Sequence, residues 1–476
     1  MKRRFSILHI SDLHKGADAN LDNLYNSLVM DCDDYTSQGI LKPEIVVVSG
    51  DVINGAEGDD ADNLINAQYQ EAESFLDKLC RYFTGGDRTR IIIVPGNHDM
   101  NRMTSKASMV KQNEANKEKD LKDFFLGNDP WLRWSWKEFC FYKVTNKDKH
   151  KTRFANFIEF YNRFYQGRWT WDDCENSAQV IDLPDYNITF ATFNSCYRLD
   201  HLNFSGAICS TAVTNQYKSL KALDDIGRLV IGVWHHHTTG LPMQNNYLDY
   251  RIMQSMIKNR IKIGLYGHQH ISEVVNEYKD ITAKKKILLI SSGSLYGNKR
   301  LLANYPRQYN IITINMDDGK ADMTLHVRKD QNPMDYDIPS WGKSHVGNSD
   351  VEEYSEEIAL ERPSIEQIIE FADKMVQKNG LYERAIRMLL PYAENDMMVN
   401  KIIDSYIPNI TDNSELILNL IKRPVTNVQV YAVLNAGLET KNIETLARLL
   451  AMASVKSCEW GPAKELRVKA EIMVAL

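Results

Sequence analysis

The stretch Ile91-Ile92-Ile93-Val94-Pro95-Gly96-Asn97-His98-Asp99 decides how the rest of the chain is interpreted. Its first four residues form a β-branched run, which is typical of a buried strand. The Pro-Gly pair that follows predicts a sharp turn at the end of that strand. Asn97, His98 and Asp99, whose side chains bind metals or move protons, therefore follow the carboxyl end of a strand. Open α/β sheets bind their ligands at this edge.

Four further stretches repeat this arrangement of an apolar strand followed by polar side chains. The residues that follow these strands are Asp12 and His14, then Asp51, then His235-His236-His237, and finally His268 with His270. Helical patterns over residues 21–35 and 61–82 separate the first three strands, which predicts a parallel βαβ core with right-handed crossovers. One such turn would be ordinary, but five in order predict a shared site at one edge of the fold.

The five blocks, Asp-x-His, Gly-Asp, Gly-Asn-His-Asp, His and Gly-His-x-His, resemble those of the calcineurin-like metallophosphoesterase superfamily in their order. The resemblance covers about residues 5–330 and implies a four-layer αββα sandwich with a dinuclear metal centre between the sheet ends. It also implies the ligands of each metal, with Asp51 as the bridge between them. One metal would be held by Asp12, His14 and His270, and the other by Asn97, His268 and one histidine of the triplet.

The same resemblance implies parts for the remaining residues of the blocks. His98 would contact the phosphate and stabilise or protonate the leaving oxygen, and Asp99 would orient His98. Alignment of the preceding strand with the family favours His235 as the ligand from the triplet, with His236 second and His237 left open.

The ligand types also indicate the kind of metal. Imidazole, carboxylate and amide ligands together favour manganese, iron or zinc over magnesium, which prefers oxygen ligands throughout. We therefore expect two divalent ions, manganese first, with iron, zinc or nickel as alternatives. Two ions clamp the attacking and leaving oxygens of an in-line displacement, so no serine or cysteine nucleophile is needed.

The chain has 476 residues, which is too long for one compact core. We expect a metallophosphoesterase domain over residues 1–330 with a helical insertion at about 101–180. Residues 331–362, rich in Pro, Gly and Glu, are interpreted as a linker. Residues 363–476 have helical patterning, and Ser364 with Gln367 predicts a capping box at its start. The predicted fold class is therefore α/β, with an all-α C-terminal domain.

The insertion is the segment that would select the substrate. Lys and Arg outnumber Asp and Glu there by 15 to 8 over residues 101–170, and five of the eight tryptophans lie within it, at positions 131, 134, 136, 169 and 171. Such a segment beside a phosphodiester-cleaving centre would stack bases and contact phosphates. The alternative is a set of helices whose aromatic side chains pack inward. Arg102, His236 and Asn194 are the candidate substrate contacts.

The leading hypothesis is a metal-dependent phosphodiesterase that cleaves nucleic acid, that is, a nuclease. The N-terminal half is similar to bacterial phosphoesterase domains fused to helical or signalling modules in defence systems, which implies a role in antiviral (anti-phage) defence. The alternatives are a phosphomonoesterase or protein phosphatase, or a cyclic-nucleotide phosphodiesterase. A different class is a scaffold that binds a partner and keeps a structural metal. The substrate, the native metal, the oligomeric state and the partner stay open.

Charge and cysteine content give the remaining expectations. The net charge of -6 offers no global reason for nucleic-acid binding, and residues 351–476 carry 14 basic against 19 acidic side chains. The C-terminal helices are therefore expected to bind a protein or a second copy of the chain. Seven cysteines without a Cys-x-x-Cys pair indicate reduced thiols. The short apolar run at the N-terminus predicts a strand and not a signal peptide, so a cytoplasmic protein without a membrane partner is expected.

Overall fold

A computed structural model describes residues 4–16, 20–113, 117–171, 178–240, 246–275, 279–280, 285–296, 306–332, 339–393 and 396–475. The chain divides into two compact units, residues 2–361 and residues 362–476. Parts of the predicted insertion (114–116 and 172–177), part of the predicted linker (333–338) and Cys174 lie outside the described residues. The six described cysteines are buried free thiols. No helix among the described residues is long and apolar enough to cross a bilayer.

The strands of the described residues all lie in the first unit. They are β1 (Arg4–Ile10), β2 (Ile45–Val48), β3 (Ile91–Ile93), β4 (Met109–Lys111), β5 (Leu132–Ser135), β6 (Cys140–Val144), β7 (Ala178–Leu183), β8 (Ile188–Phe193), β9 (Leu229–Val233), β10 (Ile263–Tyr266), β11 (Val274–Val275), β12 (Lys279–Asp280), β13 (Lys285–Lys286), β14 (Leu288–Ser291), β15 (Gln308–Asp317), β16 (Lys320–Asp330), β17 (Trp341–Ser344) and β18 (Glu353–Ala359).

The α-helices of the described residues fall into two sets, eight in each unit. Those of the first unit are α1 (Leu21–Asp33), α2 (Ala61–Thr84), α3 (Arg102–Lys106), α4 (Lys117–Leu126), α5 (Lys147–Lys151), α6 (Ala155–Phe164), α7 (Ser210–Asp225) and α8 (Ile252–Lys258). Those of the second unit are α9 (Ile365–Asn379), α10 (Tyr382–Leu389), α11 (Met397–Tyr406), α12 (Ser414–Leu420), α13 (Asn427–Thr440), α14 (Ile443–Leu450), α15 (Ala453–Lys456) and α16 (Gly461–Ala475).

Two large sheets form the middle of the first unit. The first sheet has the order β17-β16-β15-β1-β2-β3, with β18 also paired to β16, and the second has the order β11-β14-β10-β9-β8-β7. As predicted, β1, β2 and β3 are parallel. In the second sheet β8, β9, β10 and β14 are parallel as well. The carboxyl ends of these strands carry the polar residues that the sequence analysis singled out.

Three apolar layers hold the sandwich together. Phe5 and Ile7 of the first sheet pack with Phe190 and Ile231 of the second, which makes the central core. Helices α1, α2 and α6 cover the outer face of the first sheet. Helices α7 and α8 cover the outer face of the second sheet, against which Trp234 is fully buried. The predicted four-layer αββα architecture is therefore confirmed.

The insertion after Asp99 is helical only in part. Helices α3 to α6 are present, but β4, β6 and β5 also form a three-stranded antiparallel sheet in that order, which the sequence analysis did not predict. Its strands are short and mix aromatic with charged residues, so their pattern does not stand out from that of an amphipathic helix. The insertion ends earlier than predicted, because residues 178–180 already belong to strand β7, which pairs with β8.

The segment interpreted as a linker also contains regular structure. Strands β17 and β18 both pair with β16, so residues 341–344 and 353–359 belong to the first sheet. Strand β18 is a highly charged edge strand whose side chains are mostly exposed, and it therefore looks like an acidic linker in the sequence.

The second unit is all-helical over its described residues, as predicted. Helix α9 begins at the capping box of Ser364 and Gln367 and ends at Gly380, which has the left-handed backbone expected after a helix. Val430, Leu434, Leu446 and Ala470 lie in its apolar core.

Candidate metal centre

The five polar blocks converge at the carboxyl ends of β1, β2, β3, β9 and β10. Ligand atoms of three overlapping groups lie within 4.8 Å of one another. These groups are Asp12 with His14 and His270, His14 with Asp51 and His98, and Asp12 with Asp51 and His235. Parallel strands bring their carboxyl ends to one edge, so residues far apart in sequence meet there.

The first half-site consists of Asp12, His14 and His270. The Nε2 atoms of His14 and His270 lie 3.2 Å apart. The Oδ1 atom of Asp12 lies 3.1 Å from Nε2 of His270 and 3.6 Å from Nε2 of His14. Asp12 is fully buried, and its other oxygen accepts a 3.0 Å hydrogen bond from the backbone N–H of His268. One carboxylate and two imidazoles thus surround one point.

The second half-site consists of Asn97, His235 and His268. The Oδ1 atom of Asn97 lies 3.0 Å from Nε2 of His235 and 2.9 Å from Nδ1 of His268. The two ring nitrogens are themselves 3.3 Å apart. An amide oxygen and two imidazole nitrogens therefore meet at a second point, which has no carboxylate of its own.

Asp51 lies between the two half-sites. Its Oδ2 atom is 3.8 Å from Nε2 of His14 in the first half-site and 3.4 Å from Nε2 of His235 in the second. Its Oδ1 atom accepts a 2.7 Å hydrogen bond from the backbone N–H of His98. This fixes the carboxylate with one oxygen facing both half-sites, the position that the resemblance implied for a bridging ligand.

An unusual backbone supports these positions. Asp12, His14, Asp51, His268 and His270 all have φ between +46° and +75°, a left-handed conformation that residues other than glycine seldom adopt. Such conformations persist where the surrounding structure enforces them, and they cluster at functional sites.

The glycines of two blocks are required for close approach. A Cβ on Gly96 would collide with the carboxylate of Asp51, and one on Gly267 would collide with Ser11 and Asp12. Gly96 and Gly267 therefore allow the third and fifth blocks to approach the carboxylates of the first two.

Of the histidine triplet, the structure brings His235 into the centre. Its Nδ1 donates a 2.8 Å hydrogen bond to the backbone carbonyl of Ser49, which leaves Nε2 facing Asn97 and Asp51. His237 instead accepts from the backbone N–H of Thr239 at Nδ1 and contacts Glu273 through Nε2. Both ring nitrogens of His237 are therefore engaged by residues outside the metal centre.

Ser195 explains how the triplet is held. Its Oγ accepts hydrogen bonds of 3.1 Å from the backbone N–H groups of His235 and His236. Its single hydrogen is then left for Nδ1 of His236, at 2.9 Å. The sequence analysis selected Asn194 at this strand end and assigned Ser195 no role in holding the triplet. A lone serine at a strand end carries no signal by itself.

His98 has one nitrogen available for chemistry. Because a carbonyl only accepts, Nδ1 of His98 donates its hydrogen to the backbone oxygen of Asn54, at 2.9 Å. Nε2 is then the nitrogen left to exchange a proton with a bound phosphate ester. Burial lowers the pKa of His98, and the charge of Asp51 opposes that effect.

The expectation that Asp99 orients His98 is wrong. The Asp99 carboxylate accepts hydrogen bonds from the backbone N–H groups of Gly96 and Val52, at 2.8 and 3.2 Å, and from the hydroxyl of Tyr69, at 3.0 Å. Asp99 thus ties the third block to the loop after β2, and the carbonyl of Asn54 orients His98 instead. A hydrogen bond to a backbone carbonyl cannot be predicted from residue identities, because every residue has that carbonyl.

Burial and the charges of neighbouring side chains shift the pKa values of several residues in the centre. Burial favours the neutral form of Asp51, but His235 and His98 outweigh it and hold the pKa of the carboxyl well below its usual range. Burial likewise opposes protonation of His235, but Asp51 and Asp12 together raise its pKa to about 9. Burial, together with the charge of His235, lowers the pKa of His268 to about 3. The carboxylates of Asp51 and Asp12 thus keep the ring of His235 protonated and positively charged.

The three weaker candidates lie outside the cluster of ligand atoms. Arg102 begins α3, and its Nη1 is 3.6 Å from an oxygen of Glu57. His236 is fully buried against Ser195 and His268 and does not line an open cleft. Asn194 is also buried, and its Oδ1 accepts from the backbone N–H of Cys196. The substrate contacts of Arg102, His236 and Asn194 therefore stay predictions.

The comparisons with known proteins agree with this geometry. Residues 5–272, more than half of the chain, match the family model of calcineurin-like phosphoesterases. The chain therefore belongs to the calcineurin-like phosphoesterase family, whose members are hydrolases.

Two solved structures are similar to the chain at low identity. A dimetal phosphatase from Danio rerio is 13% identical with a TM-score of 0.33, and the match covers 67% of this chain and 95% of that chain. A metallophosphoesterase from Sphaerobacter thermophilus is 11% identical with a TM-score of 0.24, and the match covers 64% and 82%. No curated protein matches the chain significantly.

Family membership implies two divalent metal ions, and the residues present fit them. Two ring nitrogens 3.2 Å apart, as in His14 and His270, repel unless a proton or a cation lies between them. The same holds for the acceptors that converge at Asn97, His235 and His268. Each half-site thus presents lone pairs to a common point.

Proposed function

We propose that the chain is a metal-dependent phosphodiesterase that hydrolyses nucleic acid. The observation that carries the proposal is the convergence of six ligand-type side chains in two half-sites around Asp51, with His98 beside them. Two divalent ions bound there would supply Lewis-acid stabilisation of the phosphate and an activated water for in-line displacement. We expect manganese first, with iron, zinc or nickel as alternatives, because of the imidazole-rich donor set.

The residues of the chain have separate tasks in this proposal. The first and second half-sites would hold the metals, and Asp51, which faces both half-sites, would be available as a ligand to each. His98, oriented by Asn54, would contact the scissile phosphate through Nε2. In its imidazolium form it would give the Nε2 proton to the leaving oxygen and keep the Nδ1 hydrogen that bonds to Asn54. A proton given to the leaving oxygen lowers the cost of expelling an alkoxide from a diester.

The insertion supports nucleic acid as the substrate. Over residues 101–170 it carries an excess of seven basic side chains, although the whole chain has a net charge of -6. Positive charge is therefore concentrated in the segment that begins directly after Asp99. A polyanion gains affinity from such a concentration of lysine and arginine.

Matched labelled substrates test this proposal. Single- and double-stranded DNA, RNA, cyclic nucleotides and a phosphomonoester are incubated with manganese and the full chain, with the His98→Ala variant as control. The proposal expects cleavage of a polymer that is lost in the variant. Turnover of cyclic nucleotides alone, or of the phosphomonoester alone, would replace the nuclease with one of the two rival esterases. No turnover of any ester would favour a scaffold with a structural metal.

Two further parts of the proposal concern the role of the chain in the cell and its binding partner. The resemblance to phosphoesterases of defence systems supports an anti-phage role, which predicts fewer phage plaques on cells that carry the chain than on cells with His98→Ala. The second unit has no excess of basic side chains, with 14 Lys and Arg against 14 Asp and Glu over residues 362–476, which supports binding of a protein partner or a second copy of the chain over binding of a polyanion. Sedimentation of the full chain over a range of concentrations tests self-association.

A further inference from the structure

The hairpin between β5 and β6 presents two large aromatic rings to solvent. Trp136 is 77% exposed and Phe139 is 63% exposed, at the two ends of the turn that joins the strands. Phe139 has φ of +51°, a backbone conformation that bulky residues rarely adopt. Exposing large apolar rings and straining the backbone both oppose folding, so the arrangement calls for a bound partner.

A neighbouring aromatic side chain, Trp134, packs against the exposed ring of Trp136. Trp134 packs edge-on against Trp136 at a centroid distance of 5.9 Å and against Phe141 at 4.8 Å. Trp134 and Phe141 are paired across the two strands, so they share a face of the small sheet. Trp136 is therefore supported from below and offers its exposed surface as a fixed platform.

The opposite face of the small sheet is tied to the loop beside the metal centre. Arg133 pairs with the buried carboxylate of Asp200, and the ring of Tyr142 lies 6.5 Å from that of His201. The same loop contains Ser195, which makes three hydrogen bonds to His235 and His236. The hairpin is thus anchored to the part of the fold that positions the second half-site.

Basic side chains accompany the exposed rings. Lys137 follows Trp136 directly and is exposed, and Nζ of Lys117 lies 5.9 Å from the centre of the Trp134 ring. Residues 101–151 contain 12 Lys and Arg against 7 Asp and Glu. A surface that combines flat aromatic rings with positive charge is complementary to nucleobases joined by phosphates.

We infer that the hairpin tip of Trp136 and Phe139 binds single-stranded nucleic acid by stacking unpaired bases on its rings. The inference rests on the proposed function, because it names the form of nucleic acid that reaches the centre. Single strands are favoured over duplexes because an exposed ring stacks on a base only when that base's face is free. The basic side chains favour a polyanion over an apolar protein surface or a second copy of the chain.

Binding without turnover tests the inference directly. The affinity of the full chain for a fluorescent oligothymidylate and for a matched duplex is measured by anisotropy in EDTA, so that no substrate is consumed. The double variant Trp136→Ala with Phe139→Ala is compared with the wild type. Tyr250→Ala serves as matched control, since Tyr250 is also an aromatic side chain of the first unit and is 64% exposed. Thermal unfolding of each variant shows whether the fold is kept.

The inference expects the double variant to bind the single strand at least about tenfold more weakly, the scale of losing one or two stacked bases. The control variant should bind as the wild type does, and the duplex should bind more weakly than the single strand. An unchanged affinity in the double variant, or equal binding of duplex and single strand, would overturn it. So would a self-association of the wild type that the double variant loses, since the occupant would then be a second copy.

Hydrolysis of a small diester distinguishes a failure of the hairpin inference from a failure of the proposed phosphodiesterase activity. Hydrolysis of bis-p-nitrophenyl phosphate with manganese depends on the metal centre and not on the hairpin, so the double variant should keep it. If the diester is hydrolysed but the double variant binds the single strand normally, the hairpin inference fails and the phosphodiesterase stands. If the wild type hydrolyses no ester but the double variant loses binding, the phosphodiesterase fails and the hairpin inference stands.

Discussion

The two half-sites of the metal centre are held by different means. The first half-site has the buried carboxylate of Asp12, but Nδ1 of His14 is buried without a hydrogen-bond partner among the described residues. The second half-site has only the amide of Asn97, and Nε2 of its His268 is likewise buried without such a partner. Its His235, however, is fixed by the carbonyl of Ser49 and by Ser195. The first therefore depends on charge and the second on orientation, and Asp51 connects the two.

The largest effect is expected where the half-sites share a ligand. Asp51→Asn removes the negative charge that both half-sites use, so we expect metal content to fall below two ions per chain. Turnover should drop by more than about 100-fold, since even outer partners of metal ligands cost about 10- to 100-fold. Metal analysis of the dialysed protein checks the first result, with the exposed Asp249→Asn as control. Two retained ions would show that Asp51 does not bridge.

Asp12→Asn should separate the half-sites. This change removes the only carboxylate that belongs to the first half-site alone, and the second half-site keeps its orienting hydrogen bonds. We expect one ion per chain instead of two, measured by calorimetric titration with manganese. If both ions bind with unchanged affinity, charge is not what holds the first.

A smaller effect is expected from Ser195→Ala. Without the hydroxyl, the backbone N–H groups of His235 and His236 lose their acceptor, and His235 keeps only the hydrogen bond of its ring to the Ser49 carbonyl. We expect the affinity of the second half-site to fall by about 10- to 100-fold while the first half-site is unchanged. Ser195→Thr keeps the hydroxyl and should recover most of the affinity. Equal loss in both variants would indicate a packing effect alone.

The smallest effect is a proton released on metal binding. In the metal-free protein the pKa of His235 is raised to about 9, so its ring is protonated at neutral pH. A ligating imidazole must be neutral, so filling the second half-site at pH 7 should release about one proton. Affinity should accordingly rise with pH until it levels off above the pKa. Calorimetry in buffers of different ionisation enthalpy measures the release, and heats that are independent of the buffer would contradict it.

The sequence predicted the centre well because strand ends are local signals. A β-branched run such as residues 91–94 indicates a buried strand, and the polar turn after it needs no tertiary information. The parallel order of β1, β2 and β3 then brings those turns to one edge. The two-residue loop between β15 and β16, Asp318-Gly319, is a local signal of the same kind, because Asp-Gly is a preferred pair in tight hairpin turns.

Features that depend on tertiary contacts were not predictable. The partner of His98 is a backbone carbonyl of Asn54, which any residue at that position supplies. The buried position of Asp99 is set by Tyr69, which lies 30 residues earlier on α2. Strand β18 has the composition of an acidic linker and is a strand because β16 supplies its pairing partner.

The most direct test of the account separates metal binding from chemistry at His98. His98→Ala removes the ring that would protonate the leaving oxygen but leaves all seven ligand-type side chains in place. Manganese stoichiometry and turnover of a diester are measured on the same preparation. We predict two ions per chain, as in the wild type, and turnover reduced by about 10²- to 10⁴-fold. Unchanged turnover with both ions bound would contradict the role of His98, and loss of both ions would contradict the separation of metal binding from proton transfer.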